Sequence, residues 1–337
     1  MALRLIEITL PEADQAAEAL LQGESIIRVW QHRFSEASIH VRVLCPAESV
    51  EAFLDSLEKR YASTEGFRAI LLTVDAVIPR PVAPPGKAPL PTKAPASKQE
   101  ARPNRVSREE LYAAITESSR LSPIYMGMGV LSTILAASGL MRNSIAVEIG
   151  AMVLAPLLGP HMALSLATTL ADIQLARRAL KAATVGILTA FALAVAIALI
   201  LRIHPDSTEI VSRTKVGLGD VGLALVSGIA GALAFTSGVS ATLIGVMVAV
   251  ALMPPLVACG LLLGAGRFDL ALGALTLLLT NLICVNLAGV TTFLVQGVRP
   301  LSWWEANRAK KATRFAILWW AGLLAALIAV IMYSHGR

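Results

Sequence analysis

The sequence predicts an α-helical polytopic membrane protein of about seven spans, with an inverted three-helix repeat and broken helices, behind an N-terminal α/β ferredoxin-like domain. The chain is 55% hydrophobic and only 15% charged, which is too apolar for a soluble protein. Its charge is also unevenly divided: residues 1–120 hold 15 Lys/Arg and 16 Asp/Glu, whereas residues 121–337 hold 14 and 7 in nearly twice the length. The apolar half resembles itself at a fixed offset of 95 residues.

Residues 1–78 have the periodicity of a small cytoplasmic domain. Apolar residues alternate in four segments, which predicts half-buried strands, and follow helical spacing in two others. The resulting order, β-α-β-β-α-β, is that of the ferredoxin-like fold, in which an antiparallel sheet buries one face under two helices. The start of the chain lacks the apolar core of a secretory signal, so we expect a cytoplasmic N-terminus. The predicted strands are 3–10, 26–34, 38–44 and 67–77, and the predicted helices are 11–21 and 47–61.

Two connecting segments follow this domain. Residues 79–106 contain eight prolines and form a predicted linker, since this composition favours extended chain without a core. Residues 107–121 predict a connecting amphipathic helix that begins with a capping box, in which Ser107 is the N-cap and Glu110 reaches back to it. This helix would lie against the membrane surface or the domain above it, or would only connect the two domains.

The transmembrane domain is predicted from residue 122 to residue 337. Several apolar segments exceed the roughly 20 residues that cross a bilayer, which favours tilted or broken helices over extra spans. With a cytoplasmic N-terminus, Arg177, Arg178 and Lys181 fall on the inner side, as the positive-inside rule requires. We therefore expect a multi-pass protein of the cell inner (cytoplasmic) membrane. The predicted spans are 123–140, 145–170 and 182–201 (first repeat, about 123–201), 220–236, 240–265 and 270–297 (second repeat, about 220–297), and an extra C-terminal span at 314–333.

The stretch 149–160 interrupts the second span near the middle of the bilayer. Proline has no backbone N–H and clashes with the carbonyl four residues earlier, so Pro156, Gly159 and Pro160 predict a broken helix. Lipid cannot satisfy the backbone groups that such a break releases. The break must therefore face protein or a water-filled cavity.

A second copy of this stretch lies further along the chain. A shift of 95 residues aligns 127–180 with 222–275 without gaps, with 17 of 54 positions identical, and places Pro254 and Pro255 at the equivalent of the first break. Three spans separate the copies, so the second crosses the membrane in the opposite direction. Paired breaks in an inverted repeat indicate a transporter-like site near the midplane, where half-helix amides would bind an anion and freed carbonyls would bind a cation.

Three runs of residues resemble one known family. IGAMVLAPLLGP at 149–160, VMVAVALMPPLVACG at 246–260 and VDAVIPRP at 74–81 are similar to the domain-of-unknown-function 389 family of bacterial and archaeal membrane proteins. The resemblance covers most of the chain, and the first run is fairly specific. It implies a polytopic membrane domain, often behind a cytoplasmic N-terminal domain, without a settled activity. The long proline-rich linker looks like an embellishment of this member.

Polar side chains within the predicted spans are candidates for function, because each is costly in lipid. Glu148 is a coupling-ion candidate, with snorkelling or capping as the alternative. Asp172 is a second coupling-ion candidate, although a salt-bridged loop residue is the simpler interpretation. His161 would face a ligand or bond to a freed carbonyl. Asn281 and Asn286 must hydrogen-bond a neighbouring helix or a solute.

An enzyme is not indicated. The run from Gly217 to Asp220 matches the GxGD signature of intramembrane aspartyl proteases, but the preceding predicted span has no second carboxylate. The sequence contains no GxSxG, HExxH or P-loop motif. Its three cysteines are isolated, so no metal or cofactor is expected, and His32 and His40 are interpreted as surface histidines. The basic surplus lies between apolar runs, which argues against nucleic acid as a partner.

The sequence therefore favours a membrane transporter or channel for a small solute, an anion in the first instance, with the N-terminal domain as regulator. The alternative is a non-transporting membrane sensor or scaffold whose soluble domain binds a ligand or partner. Expected partners are membrane lipid and a small-molecule or ion solute, and a homo-oligomer is expected by analogy with domains that associate along sheet edges. The predicted substrate-binding residues are Pro156, Gly159, Pro160, His161, Pro254, Pro255, Asn281 and Asn286, and the ion-coupling candidates are Glu148 and Asp172.

Overall fold

In the computed structural model the chain forms two compact units, Met1–Glu110 and Leu111–Arg337. Each unit has its own buried core. The structure describes residues 3–11, 26–35, 38–61, 63–64, 66–74, 106–201, 207–237, 241–299, 318, 320–326 and 328–329.

The first unit is built on a four-stranded antiparallel sheet. Its strands lie in the order β2-β3-β1-β4, which is the order and direction that the predicted β-α-β-β-α-β unit requires. The predicted helix 11–21 lies outside the described residues apart from position 11, which ends the first strand. The elements are β1 (Leu3–Pro11), β2 (Arg28–Ser35), β3 (Ser38–Pro46), α1 (Ala47–Tyr61) and β4 (Arg68–Val74).

Among the described residues, α1 covers one face of this sheet. Ile6, Ile8 and Val43 alternate along β1 and β3 toward the covered face and are at most 2% exposed. α1 closes the core with Leu57 and Tyr61, which are equally buried. On the opposite face, Ile70 and Leu72 are 46% and 40% exposed, whereas Leu44 is 4% exposed.

Helix α2 (Arg108–Ser118) begins at the predicted N-cap. The Ser107 Oγ accepts a hydrogen bond of 3.2 Å from the Glu110 backbone N–H. The Glu110 carboxylate does not reach back as the capping box predicts. It binds the Arg4 guanidinium through two hydrogen bonds of 3.0 and 3.2 Å instead. A two-point ion pair is stronger than one bond to a backbone amide, which accounts for the difference.

The described part of the second unit is helical. Four of its helices, α3, α6, α8 and α10, are long and apolar enough to cross a membrane, and α4 and α5 form a bent pair that would make a fifth span. Half of the predicted span 314–333 lies outside the described residues. The helices are α3 (Pro123–Met141), α4 (Ile145–Leu154), α5 (Leu158–Leu170), α6 (Ile173–Leu201), α7 (Thr208–Ser212), α8 (Leu218–Ser237), α9 (Ala241–Gly264) and α10 (Phe268–Val295).

One predicted boundary is wrong. α6 begins at Ile173 and not at residue 182, so Arg177, Arg178 and Lys181 lie on its first turns and not in a loop. The Asp172 carboxylate starts the helix early, because its Oδ1 accepts hydrogen bonds of 2.9 Å from the backbone N–H groups of the second and third residues beyond it. Long basic side chains can extend from such a position toward the aqueous boundary.

Candidate functional site

The first interruption of the apolar helices occurs where the sequence predicts it. α4 and α5 meet at an angle of 51° across a three-residue break. The last residue before the proline, Ala155, has an extended ψ of 117°, which is the conformation that a following proline favours. Pro160 lies in the first turn of α5, where its missing N–H would have no partner within the helix. Pro156 therefore ends one helix and Pro160 is compatible with the start of the next.

The backbone groups released by this break are bonded inside the protein. The Ala155 N–H turns back to the Met152 carbonyl at 3.3 Å and so no longer reaches the carbonyl of Ala151. The Ser132 hydroxyl on α3 donates a 2.7 Å hydrogen bond to that Ala151 carbonyl. A side chain on the neighbouring helix thus replaces the lost backbone donor.

The predicted second break does not exist. α9 continues without interruption through Pro254 and Pro255. Pro255 cannot donate to the carbonyl four residues earlier, that of Ala251, and the Asn281 Nδ2 on α10 donates to this carbonyl at 2.6 Å. This hydrogen bond from α10 replaces one of the two backbone donors that the proline pair removes. No half-helix N-terminus forms at these two prolines, so the predicted anion-binding amides are absent from this position.

Gly159 serves close packing and is not open to a solute. The Ser118 carbonyl at the end of α2 lies against Gly159, in the space that a Cβ would occupy. The negative end of one helix dipole therefore meets the positive start of α5. This arrangement removes the second structural reason to expect an anion at the break.

His161 and Asn286 form a buried polar pair between α5 and α10. They are 2% and 1% exposed, and the Asn286 Nδ2 lies 3.2 Å from the His161 Nδ1. The same Nδ2 donates to the Leu282 carbonyl at 2.7 Å, which fixes the orientation of the amide. The Nδ1 must then accept, so the imidazole proton belongs on Nε2. Ser165 joins the pair, since its hydroxyl lies 3.0 Å from the His161 carbonyl and 3.2 Å from the Asn286 carbonyl.

Two strong hydrogen-bonding atoms of this pair are left without partners. Neither the His161 Nε2 nor the Asn286 Oδ1 has a hydrogen-bond partner among the described residues. The Asn281 Oδ1 is likewise buried and unbonded there, although its Nδ2 is used. An unsatisfied buried donor or acceptor costs about 1–3 kcal/mol, so such groups are usually explained by a bound water, ion or solute.

A separate small cavity of about 10 Å³ lies beside the bend and is partly open. It reaches from Pro156 and Leu157 to Met253, the residue before the proline pair, but its walls are mostly apolar. The Tyr125 hydroxyl that borders it already donates to the Ala182 carbonyl at 3.1 Å. This cavity is not the polar space that the sequence led us to expect between 156–161 and 254–257.

Glu148 is fully buried at the start of α4 and pairs with a residue outside the long helices. Its Oε1 lies 3.2 Å from the Arg213 Nη2, and the side chains are 0% and 28% exposed. Arg213 also lies 3.8 Å from the Glu209 carboxylate on α7. Glu148 therefore joins α4 to the segment after α7, and neither snorkelling nor helix capping describes it.

Asp172 is a structural cap. Besides starting α6, it accepts a 2.8 Å hydrogen bond from the Tyr112 hydroxyl on α2 through its Oδ2. Burial, together with the hydrogen bond and charge of Asp172, raises the pKa of Tyr112 above its ordinary value. Both oxygens of the carboxylate thus have protein partners in this conformation.

Three contributors were missed from the sequence: Ser132, Ser165 and Arg213. Ser132 carried a signal, because it recurs as Ser227 at the 95-residue offset. Arg213 was not selected as a candidate. Its position four residues after Glu209 is compatible with an ion pair on one helix turn, but it does not indicate the contact with the buried Glu148.

Comparison with known proteins confirms the resemblance noted above. The model of the domain of unknown function DUF389 matches residues 152–287, which contain the bend, the proline pair and the His161–Asn286 pair. An uncharacterised protein of the archaeon Methanocaldococcus jannaschii is 33% identical over 339 residues, covering 99% of this chain and 100% of that protein. No solved structure matches the chain. The chain belongs to the DUF389 family.

Proposed function

We propose that this protein is a membrane transporter or channel for a small solute, and that the solute contacts the His161–Asn286 pair. The observation that carries the proposal is that two buried atoms of that pair, the His161 Nε2–H and the Asn286 Oδ1, have no hydrogen-bond partner among the described residues. Polar groups at this depth are expensive and commonly mark solute pathways. The first unit would act as a regulatory domain.

The helix bounds support an inverted repeat as the framework of such a site. Shifted by 95 residues, α3 falls on α8, the α4–α5 pair on α9 and α6 on α10, each within one residue at both ends. An odd number of spans per copy would reverse the second copy in the membrane. Transporters built this way place their sites at the junction of the copies, and the proposed pair joins α5 of the first to α10 of the second.

The proposed solute is small and polar, and it both donates and accepts hydrogen bonds. The expectation of an anion rested on two half-helix N-termini, of which one does not form and the other faces the α2 carbonyl end. The pair offers one donor and one acceptor and no charged side chain. Location in the inner membrane with a cytoplasmic N-terminus, and assembly as a homo-oligomer, belong to the same proposal.

A non-transporting sensor or scaffold is the second candidate. The small size and apolar walls of the cavity beside the bend, and the hydrogen bond from Asn281 to the Ala251 carbonyl, favour it, because both indicate that the proline stretches serve helix packing. In that case the first unit would hold the ligand-binding function.

The test is solute flux in vesicles that contain the purified full chain. Glycerol and urea are the neutral probes, potassium chloride is the ionic probe, and osmotic recovery is followed by light scattering. We expect a neutral probe to enter faster than in protein-free vesicles, and His161→Phe and Asn286→Leu each to remove that increase. Leu279→Ala, at a 43% exposed position on α10, is the matched control and should leave flux unchanged. Flux equal to that of protein-free vesicles for all three probes, or unaffected by both site variants, would refute the proposal.

A further inference from the structure

The sheet face opposite α1 in the first unit brings together residues that are distant in the sequence. Strand register places directly opposed residues side by side on the same face. Three successive rows result, each read across β2, β3, β1 and β4. The rows are Arg28, Leu44, Leu5 and Leu72; Trp30, Arg42, Glu7 and Ile70; and His32, His40, Thr9 and Arg68.

The chemistry of these rows is cationic and aromatic. They hold three arginines, two histidines and a tryptophan, while Glu7, which pairs with Arg42 at 2.7 Å, is the only carboxylate in them. The Arg28 guanidinium lies over the Trp30 ring, 5.6 Å from its centroid, and Trp30 is 36% exposed. Cations therefore flank an accessible flat ring, Arg28 along the strand and Arg42 on the neighbouring one.

Large apolar side chains lie on the same face without cover from the described residues. Ile70 is 46% exposed and Leu72 is 40% exposed, in the same rows as Trp30 and Arg28. Single exposed apolar residues are ordinary, but apolar and aromatic groups set among cations form a surface that suits a ligand with both a ring and negative charge.

We propose that this face binds a nucleotide. The base would stack on Trp30, and the phosphates would bind the guanidinium groups of Arg28 and Arg42, with His32 and His40 in the adjoining row. Four-stranded sheets bind bases through exposed aromatic residues in this manner, and tryptophan, histidine and arginine all stack on bases. Lipid headgroups and acidic peptides would use the cations but would place no ring on Trp30. The site lies outside the proposed solute pathway and does not depend on it.

The test is calorimetric titration of the full chain in detergent with four probes: adenosine triphosphate, sodium triphosphate, adenosine and glycerol 3-phosphate. We expect adenosine triphosphate to bind roughly tenfold tighter than triphosphate, because stacking of one base contributes about 1–3 kcal/mol. Adenosine and glycerol 3-phosphate, which each lack half of the recognised chemistry, should bind at least as weakly as triphosphate.

Variants identify the surface. Trp30→Ala should abolish the preference for adenosine triphosphate over triphosphate, Trp30→Phe should keep it, and Arg42→Gln should weaken both ligands roughly tenfold. Arg60→Gln, on the exposed side of α1, is the matched control and should change neither. The proposal would be overturned if triphosphate or glycerol 3-phosphate bound as tightly as adenosine triphosphate, or if no probe gave heat. It would also be overturned if binding were unchanged in the Trp30 and Arg42 variants.

Discussion

Replacing Arg213 by glutamine should destabilise the second unit by about 3 kcal/mol. The Glu148 carboxylate is 0% exposed, and Arg213 is the cation that lies 3.2 Å from it. Removing one partner of a buried ion pair typically costs about 3–5 kcal/mol, because the remaining charge stays in a medium that does not solvate it. The lower end applies here, since Arg213 is 28% exposed and water can approach from its side.

The assay is reversible unfolding of the purified protein in detergent, followed by helical circular dichroism, for a double-mutant cycle. Arg213→Gln should lower the free energy of unfolding by about 3 kcal/mol when Glu148 is present. In a Glu148→Gln background the loss should be less than about 1 kcal/mol, because no buried charge is left unpaired. Arg142→Gln, at an exposed position beyond α3, is the control and should change stability by less than about 0.5 kcal/mol. An equal cost of Arg213→Gln in both backgrounds would show that the pair does not hold this end of the unit together.

Three further outcomes are expected. Gly159→Ala should destabilise the second unit by about 1–3 kcal/mol, because the new Cβ meets a backbone carbonyl. Gly150→Ala is the control and should be neutral or stabilising, because nothing lies within 4 Å of a Cβ there. Equal effects of the two variants in thermal unfolding would contradict the close packing at Gly159. Asn281→Leu should lower the free energy of unfolding by about 1–3 kcal/mol, and by less in a Pro255→Ala background, where the backbone donor to the Ala251 carbonyl is restored. Additive losses from the two substitutions would show that Asn281 does not replace this donor. Burial raises the pKa of the Cys45 thiol from 9.0 to about 11, so the free energy of unfolding of the first unit should fall by up to about 3 kcal/mol between pH 9 and pH 11. Urea titrations of Cys45→Ala should lack this fall, and an identical fall in the variant would reject the assignment.

Local periodicity predicted the sheet and most helices, because alternation and helical spacing depend only on nearby residues. Register is different, since it depends on which residues of two strands meet. His32 and His40 were therefore interpreted as separate surface residues, although the hairpin places them directly opposite each other. The face to which they belong could be recognised only after the strands were paired.

The buried polar contacts were the part that the sequence could not predict. A glutamate at the start of a span and an arginine in a later loop are recognisable as charges, but their pairing across 65 positions depends on how α4 and the segment after α7 pack. The same limit applies to His161 and Asn286, which were selected separately and are joined by the contact between α5 and α10. Asp172 was assigned to a loop because a cap and a salt-bridged residue have the same sequence signature before the helix is seen.

The contrast between Pro156 and the Pro254–Pro255 pair bears on how such a chain diverges over evolution. The first proline accompanies a bend, and the pair lies in an uninterrupted helix in which Asn281 from α10 donates to the Ala251 carbonyl. The continuity of α9 therefore depends partly on a side chain of another helix. In this fold the shape of a proline-containing segment is inherited partly through its neighbour, and a relative that keeps both prolines but lacks the asparagine need not keep the shape.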